Sequence, residues 1–365
     1  MMKRLTFLFV GCLFLMSYGC GSSGSSGASG TGSTSASIQR YHKKGGGGGG
    51  GGGGTTTTPQ KMGGVYALGQ SFSSSQLSDP NITGISLRIG WNAIETKKGV
   101  YDWSYLDNNI SAAAANGKKV MIRVFGGQFT PDWVYAEGAQ SFNFTDPDLG
   151  ASTMPVPWDS VFLNEWTSFI KALGTKYAGM AQVVTIQMTG PSRAGEMYLP
   201  NKTDQAFWTS LGYTDTKLIG AWSTVIDAYN AAFPSTALGI DIAYPISFGD
   251  KESLLTQILD YAYNRLGTRL RVQGNWLAAK TNSTNPLYLI VKNFSSQTDV
   301  GFQMLCSAND PTRLGGTLRQ AIDNGLAAGA SYIEFWGVDA VPANDADLQY
   351  ANENLKLNEH FSVAR

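Results

Sequence analysis

Residues 63–340 repeat one pattern, in which a short apolar or β-branched run alternates with a longer polar-apolar segment. Eight runs are interpreted as strands: GVYALGQSF, GISLRIGW, KVMIRVFG, VVTIQMTG, LGIDIAY, RLRVQGNW, VGFQML and SYIEFWGV. Five longer segments carry helical periodicity: YLDNNISAAAANG, DSVFLNEWTSFIKALGTKYA, TKLIGAWSTVIDAYNAAF, ESLLTQILDYAYNRLG and TLRQAIDNGLAAG. Strands that alternate with helices eight times are typical of a parallel (β/α)8 TIM barrel, and we predict one such α/β domain over residues 61–365.

A doubly wound open sheet is the alternative fold for this order of elements. It normally carries a glycine-rich phosphate-binding loop directly after the first strand, but the chain has GQSFSSSQL at this point. We therefore favour the barrel and predict no cofactor.

The N-terminus has the pattern of an export signal. Lys3 and Arg4 precede the apolar run LTFLFVGCLFLM, which is too short to span a bilayer. The following SYGC resembles a bacterial lipobox, so residues 1–20 are predicted to be a signal peptide, with Cys20 as the lipidated residue. Residues 21–60, rich in Gly, Ser and Thr, cannot bury apolar surface and are predicted to form a disordered tether.

These features predict the location of the protein. We expect it to be exported and lipid-anchored at the bacterial outer membrane or cell surface. Plain secretion or a periplasmic location is the alternative. Any contact with a membrane is expected only through the N-terminal lipid anchor.

Composition argues against several kinds of chemistry. The formal net charge is +0 with 15% charged residues, so no nucleic-acid partner is expected. The two histidines, His42 and His360, lie outside the repeating segment, and Cys306 is the single cysteine within it. A Ser-His-Asp triad and a histidine- or cysteine-ligated metal are therefore not expected. Catalysis has to use carboxylates, tyrosines, lysines or arginines.

Active sites of (β/α)8 barrels lie at the C-terminal ends of the strands. This rule selects polar and aromatic residues for ligand contact: Arg88, Trp91, Arg123, Gln187, Asp241, Tyr244, Gln273, Asn275, Trp276, Gln303, Glu334, Trp336 and Asp339. Trp133 and Arg193, on the segments after strands three and four, join this set. Tryptophan rings suit sugar-binding clefts, and arginines bind oxygen atoms through charge-assisted hydrogen bonds. A carbohydrate is therefore the predicted ligand, with packing in the core as the alternative for each tryptophan.

Two carboxyl groups that face one cleft are the minimum equipment for hydrolysis of a glycosidic bond. Glu334 lies between Ile333 and Phe335 in the last predicted strand, where alternation turns the glutamate inward. A buried ion pair with Arg88 or Arg123 is the alternative interpretation of Glu334.

Glu196 is the second candidate and lies on the loop GPSRAGEMYLP after strand four. Pro191 and the glycines indicate a shaped loop, and the apolar residues beside Glu196 can raise the pKa of its carboxyl group. An ordinary solvated glutamate is the alternative. Asp241 and Asp339 are reserve carboxylates, and Glu95 is interpreted as structural because it leads directly into a turn.

Part of the chain resembles a known family. LRIGWNAIETKKGVYDWSYLDNNISAAAANGKKVMIRV, followed by GGQFTPDWV, is similar to strands two to three of retaining (β/α)8 glycoside hydrolases of the clan with cellulases, mannanases and β-galactosidases. This resemblance implies the barrel and a sugar ligand. It does not carry over the catalytic pair of that clan, because strand four ends QMTG instead of Asn-Glu and strand seven offers Gln303. GPSRAGE is instead similar to the GP-x-GE loop of β-amylases, which implies a general acid at Glu196.

We therefore predict an exported glycoside hydrolase that cleaves a polysaccharide or oligosaccharide with two carboxyl groups. Glu196 is the predicted acid/base and Glu334 the predicted nucleophile or base. The alternative is a non-catalytic glycan-binding lipoprotein on the same barrel.

Overall fold

The computed structural model describes residues 62–360 and contains a closed barrel of eight parallel strands, which confirms the predicted fold. The predicted signal peptide, the tether and Cys20 lie outside the described residues. The barrel strands, which neighbour one another in chain order, are β1 (Gly64–Gly69), β2 (Gly84–Gly90), β3 (Lys119–Phe125), β6 (Val183–Met188), β7 (Ala237–Ile242), β8 (Leu270–Leu277), β9 (Val300–Met304) and β10 (Ala330–Trp336). An antiparallel hairpin of β4 (Ser141–Asp146) and β5 (Gly150–Pro155) follows β3.

Helices surround the barrel, and all five predicted helical segments are helical in the structure. Their bounds are α1 (Ser74–Ser78), α2 (Trp91–Ile94), α3 (Ser104–Ala115), α4 (Asp132–Ala136), α5 (Ser160–Tyr177), α6 (Gln205–Ser210), α7 (Asp215–Ala232), α8 (Lys251–Leu266), α9 (Pro286–Phe294), α10 (Pro311–Leu314), α11 (Leu318–Ala327) and α12 (Asp345–Leu357). Within residues 62–360, none of the helices combines the length and apolarity needed to cross a bilayer.

Helix α5 illustrates why these segments are helical. Asp159 caps its first turn by accepting a hydrogen bond from the Phe162 backbone amide, which leaves one fewer unpaired N–H group. The helix then buries one apolar face against the barrel, with side chains spaced three or four residues apart: Phe162, Trp166, Phe169, Leu173 and Tyr177.

The hairpin β4–β5 and the helix α9 were not predicted. In β4 the buried Phe142 and Phe144 alternate with exposed residues, and Phe142 packs edge-on against Trp208 of α6. The partner strand β5 follows directly, but helix α6, which buries the apolar face of β4, lies far along the chain. Helix α9 spans only nine residues, and its start depends on capping by Asn285.

An apolar cluster, here called the barrel floor, fills the N-terminal end of the barrel. It consists of Met62, Tyr66, Met121, Val184, Ala237 and Tyr332. The Tyr66 and Tyr332 rings meet edge to face, with centroids 6.2 Å apart. Toward the C-terminal ends of the strands, the interior side chains are mostly polar and charged, and one further buried ion pair, Arg271–Asp299, lies at the N-terminal end.

Trp91 and Trp133 belong to the helical shell. The Trp91 ring is fully buried beside those of Trp133 and Trp166, at centroid distances of 5.8 and 5.0 Å. Its indole nitrogen donates a hydrogen bond of 2.7 Å to the Glu95 carboxylate. Glu95 is buried, in agreement with the structural role predicted for it from the sequence. The expectation that Trp91 stacks on a sugar is therefore wrong, because the residue opens helix α2 and turns outward from the barrel.

This placement predicts a stability effect. Replacement of Trp91 by Ala should lower the free energy of unfolding by about 3–5 kcal/mol, because it removes a buried aromatic ring and leaves a cavity. Urea denaturation followed by circular dichroism measures the change. Trp276→Ala is the matched control, since Trp276 is partly exposed at the end of β8 and should cost much less. Equal losses in the two variants would contradict the assignment.

Candidate active site

The C-terminal ends of the barrel strands bring most of the predicted site residues together. Strand register places Arg88 beside Arg123 and Glu334 beside Gln303. These side chains belong to a buried group, here called the polar layer, that consists of Ser86, Arg88, Arg123, Gln187, Asp241, Gln273, Gln303 and Glu334. A charged barrel interior is costly to bury, and this layer lies at the end of the barrel where active sites are found, so it marks the candidate site.

Glu334 is at the centre of the polar layer and is 0% exposed. Ser86 donates a hydrogen bond to Oε1, and Gln273 Nε2 donates one of 2.7 Å to Oε2. The guanidinium groups of Arg123 and Arg88 lie 3.5 and 3.8 Å from Oε2. Glu334 therefore faces inward as predicted, and it also forms the buried ion pairs with Arg88 and Arg123 that were the alternative interpretation.

The charge state of Glu334 follows from these contacts. Burial alone would raise the pKa of its carboxyl group, but the nearby charges of Arg123 and Arg88 lower it. The hydrogen bonds from Ser86 and Gln273 act in the same direction. The net pKa lies below its ordinary value, so Glu334 is held ionised.

Arg123 connects Glu334 to a second carboxylate, Asp241 of β7. Arg123 Nε and Nη2 each lie 3.0 Å from one oxygen of Asp241, and Nη2 lies 3.5 Å from Glu334 Oε2. All three side chains are almost fully buried. One guanidinium group therefore holds both carboxylates in place.

The loop after β6 turns back over the end of the neighbouring strand. Gly190 adopts φ = 139° against the Trp166 ring, where a Cβ atom would lie 2.3 Å from the indole nitrogen. That nitrogen donates a hydrogen bond of 2.9 Å to the Thr189 carbonyl. Farther along the loop, Glu196 forms a parallel backbone bridge with Asp241. The loop thus brings Glu196 back to the barrel mouth.

Arg193 secures the same loop from the other side. Its Nη2 donates hydrogen bonds of 2.9 Å to Asp146 and 3.3 Å to Asp148, both in the β4–β5 hairpin. The residue is only partly exposed. Its guanidinium is therefore engaged in holding the loop rather than open toward the mouth.

Glu196 differs from Glu334 in exposure and in charge. The residue is partly exposed, and its Oε1 accepts a hydrogen bond of 3.1 Å from Asn275 Nδ2. Surrounding protein desolvates the carboxyl group and raises its pKa, while Asn275, Arg193 and the other arginines of the site oppose this rise. Glu196 therefore keeps its proton to a higher pH than a glutamate in water, which disagrees with a solvated loop.

Two amide side chains join the two glutamates. Asn275 donates to Glu196, Gln273 donates to Asn275 Oδ1 at 2.9 Å, and Gln273 also donates to Glu334 at 2.7 Å. The Gln273 carbonyl oxygen is fixed in turn by Gln187 Nε2 at 2.7 Å. Gln273 is thereby oriented from several sides, and the line from Glu196 to Glu334 is built of defined contacts.

Three aromatic residues remain accessible at the mouth. Trp276, Trp336 and Tyr244 are each partly exposed. The Trp336 indole nitrogen donates a hydrogen bond of 2.9 Å to the Met304 carbonyl oxygen. The guanidinium carbon of Arg88 lies 5.7 Å from a Trp336 ring centroid. Tyr244 has Lys251 over its ring at 4.2 Å. Trp276 and Trp336 are therefore accessible for the stacking predicted for them, and Tyr244 for the predicted contact with a ligand.

Other predicted contact residues are enclosed by protein. Gln187 is bonded to Gln273, and Asp339 accepts hydrogen bonds from Ser307 Oγ at 2.8 Å and the Ala308 amide at 3.1 Å. Because both are nearly fully buried, the expectation that they touch a sugar is wrong. Asp339 instead joins the loops after β9 and β10.

Arg123, Asp241 and Gln303 are likewise nearly fully buried, so the expectation that they touch a sugar is also wrong, and they support the mouth from below. Arg123 and Asp241 bond each other, and Gln303 accepts a hydrogen bond from Arg88. Ser86 was missed by sequence reasoning. The available signal was its position two residues before Arg88, which places both side chains on the same face of β2.

The fold and the comparisons together define the class of the protein as a barrel glycoside hydrolase. Residues 74–262, more than half of the chain, match the family model of glycoside hydrolase family 42, described as beta-galactosidase. The chain belongs to this family, which confirms the resemblance to (β/α)8 glycoside hydrolases. None of the curated proteins compared with the chain matches it.

Solved structures are similar to the chain at low identity. The catalytic domain of a β-amylase from Paenibacillus polymyxa is 12% identical, with a TM-score of 0.56 over 77% of this chain and 94% of that chain. An intracellular xylanase from Thermoanaerobacterium saccharolyticum is 14% identical, with a TM-score of 0.49 over 76% and 86%. Xylanase B from Clostridium stercorarium is 13% identical, with a TM-score of 0.49 over 79% and 90%.

The contact between Asn275 and Glu196 predicts a pKa change. Because this hydrogen bond lowers the pKa of Glu196, Asn275→Leu should raise that pKa further. A carboxyl-carbon NMR titration of the ligand-free protein measures it. Asn354→Leu, a partly exposed amide on α12, is the control and should leave the titration of Glu196 unchanged. A lower Glu196 pKa in Asn275→Leu would contradict this description of the site.

Proposed function

We propose that the protein hydrolyses glycosidic bonds of an oligosaccharide or polysaccharide, with Glu196 as general acid and Glu334 as its ionised partner. One observation carries this assignment. The two carboxyl groups belong to a single hydrogen-bonded line, and their surroundings shift their pKa values in opposite directions. Such a divergence distinguishes an acid from a base within one site.

The chemistry follows from the two charge states. The leaving oxygen of a glycosidic bond needs a proton as the bond breaks, and Glu196 is the accessible carboxyl group that retains one. Positive charge develops at the anomeric carbon at the same time. The carboxylate of Glu334 then acts as nucleophile or as base for a water molecule. After the bond has broken, Glu196 is a carboxylate. If Glu334 is the nucleophile, Glu196 takes a proton from the water molecule that hydrolyses the glycosyl–Glu334 ester, which restores both groups. If Glu334 is the base, it takes the proton of the attacking water, and exchange with solvent returns Glu334 to the ionised and Glu196 to the protonated form.

Glu334 is fully buried, so a sugar can reach its carboxylate only if Arg88, which lies between Glu334 and Trp336, moves. Arg88, at 8% exposed, is in contact with both Glu334 and Trp336. A sugar that stacks on Trp336 and accepts a hydrogen bond from Arg88 would draw this guanidinium away from Glu334. Binding energy at the rim would then uncover the carboxylate.

The comparisons support this proposal at the level of class. The match to the family described as beta-galactosidase makes β-galactosides the first substrates to test. The similarity of GPSRAGE to the β-amylase loop supports Glu196 as the acid, and a β-amylase domain is among the structures with the same fold. The proposed acid therefore lies beyond the end of strand four rather than at the Asn-Glu position typical of the clan.

We also propose that the enzyme is exported and anchored through a lipid on Cys20. The apolar N-terminal run, the SYGC sequence and the Gly/Ser/Thr-rich segment up to residue 60 support this location. The described chain enters the barrel at Met62, at the end opposite the mouth. An anchored enzyme would therefore present its mouth away from the point of attachment.

The roles of the two glutamates predict different substrate dependences. Glu196→Gln should lower kcat by about 100- to 10,000-fold on natural glycosides, because it removes a general acid. Nitrophenyl glycosides, whose leaving group needs no proton, should be affected much less. Glu334→Gln should lose activity on both kinds of substrate. Release of reducing ends and of nitrophenol provides the measurement.

Glu353→Gln, an exposed substitution on α12, is the control for these variants and should retain full activity. Undiminished glycan release by Glu196→Gln would refute the role of the acid. Glycan binding without release by the unaltered protein would favour the non-catalytic alternative.

The anchor predicts a change of location. Cys20→Ala should prevent lipid attachment and move the protein from the membrane fraction to the soluble fraction. Incorporation of labelled palmitate, together with fractionation, tests this. Cys12→Ala, within the apolar run, is the control and should leave the anchor intact. Unchanged membrane association of Cys20→Ala would rule out this anchor.

A further inference from the structure

Three carboxyl groups and two guanidinium groups meet at the mouth. Arg123 contacts Asp241 at 3.0 Å and Glu334 at 3.5 Å, and Arg88 lies 3.8 Å from Glu334. Glu196 is paired with Asp241 through the backbone bridge. Arg193, also close to Glu196, is already matched by two aspartates of the β4–β5 hairpin.

This group has one carboxylate more than its arginines can neutralise. Arginine stays protonated throughout the ordinary pH range. With all three acids ionised, the group would therefore carry one uncompensated negative charge beside Asp241 and Glu334, which are almost fully buried. An unpaired buried charge is costly, and binding of one proton removes it.

The contacts decide which acids take up this proton. Glu334 has both arginines and two hydrogen-bond donors, so it stays ionised. The proton is left to Asp241 and Glu196. Burial raises the pKa of Asp241 to about 6, with Arg123 opposing this and the charges of Glu334 and Glu196 adding to it.

Other groups that face this pair come from four elements. Arg88 on β2 and Arg123 on β3 supply positive charge, and Arg193 lies on the same loop as Glu196. Asn275 on β8 bonds Glu196 directly. Tyr332 on β10 donates its hydroxyl proton to Gln273 at 3.0 Å, and burial raises its pKa, so it stays neutral.

We propose that Asp241 is a positioning residue that shares one proton with Glu196 and, through Arg123, holds Glu334 in place. The negative charge of Asp241 keeps the proton on Glu196 until the leaving oxygen takes it. This role rests on the proposed function of Glu196 as general acid. Asp241 itself is almost fully buried, so its role is exerted through Arg123 and Glu196.

A pH profile tests this role. Asp241→Asn removes one negative charge, so two carboxylates balance two guanidiniums and Glu196 ionises more readily. In a plot of kcat/KM against pH, activity falls on the alkaline limb as the general acid Glu196 loses its proton. The midpoint of this limb should shift to lower pH by about one unit in Asp241→Asn. A purely structural role for Asp241 would lower activity without moving this limb.

Asp299→Asn is the matched control. Asp299 forms a fully buried ion pair with Arg271 at 3.1 Å, at the other end of the barrel. Both variants remove the carboxylate of a buried Asp–Arg pair, but only Asp241 lies beside Glu196. An unmoved limb in Asp241→Asn, or an equal shift in Asp299→Asn, would overturn the proposal.

A reciprocal measurement covers the case in which Asp241→Asn does not fold. Glu196→Gln removes the other carboxyl group, so the pKa of Asp241 should fall from about 6. Carboxyl-carbon NMR of the ligand-free protein records this without turnover. An unchanged pKa of Asp241 in Glu196→Gln would refute the sharing of a proton between the two groups. Full activity of Glu196→Gln instead sinks the proposed function, so the two failures are distinguishable.

Discussion

One buried guanidinium group organises the mouth of this barrel. Arg123 holds Asp241 through two contacts of 3.0 Å and reaches Glu334 with the same side chain. Transfer of such charges out of water costs several kcal/mol per ion, and a well-packed apolar interior is often as stable or more stable. A second buried ion pair, Arg271–Asp299, lies at the opposite end of the barrel, so burial of charge does not by itself mark the site. Arg123 differs because it contacts two carboxylates at once, and charges fixed in this way need no reorganisation when a reaction begins.

The aromatic residues of the chain serve this site mainly from outside the barrel. Trp166 packs beside Trp91 in the shell and also holds the start of the Glu196 loop through Gly190 and Thr189. A large ring is suited to this task because it fills space rigidly and still offers one polar N–H group. Part of the aromatic content therefore supports a loop of the candidate site from the helical shell.

Local patterns predicted the fold well, because each strand and each longer helix carries its own periodicity. The inward position of Glu334 also follows from alternation within a single strand. The predictions that failed concern features that depend on tertiary contacts. Trp91 stands at a strand end but turns outward as helix α2 begins, and the burial of Gln187 depends on Gln273 from another strand. The return of Glu196 to Asp241 depends on contacts with α5 and with the hairpin, which no local spacing contains.

The barrel floor has a mechanical consequence. Met62, the residue at which the described chain enters, is itself a part of the floor. Its carbonyl oxygen accepts a hydrogen bond of 2.7 Å from the Tyr66 hydroxyl, and its sulfur accepts one of 3.4 Å from the Thr185 hydroxyl. Its backbone amide donates a hydrogen bond to Glu359, which lies beyond the last helix. Force applied to the N-terminal chain would therefore act on the first strand and on the C-terminal segment of the domain together. The contacts that hold this entry point all lie at the base of the barrel, at the end opposite the carboxyl groups of the mouth.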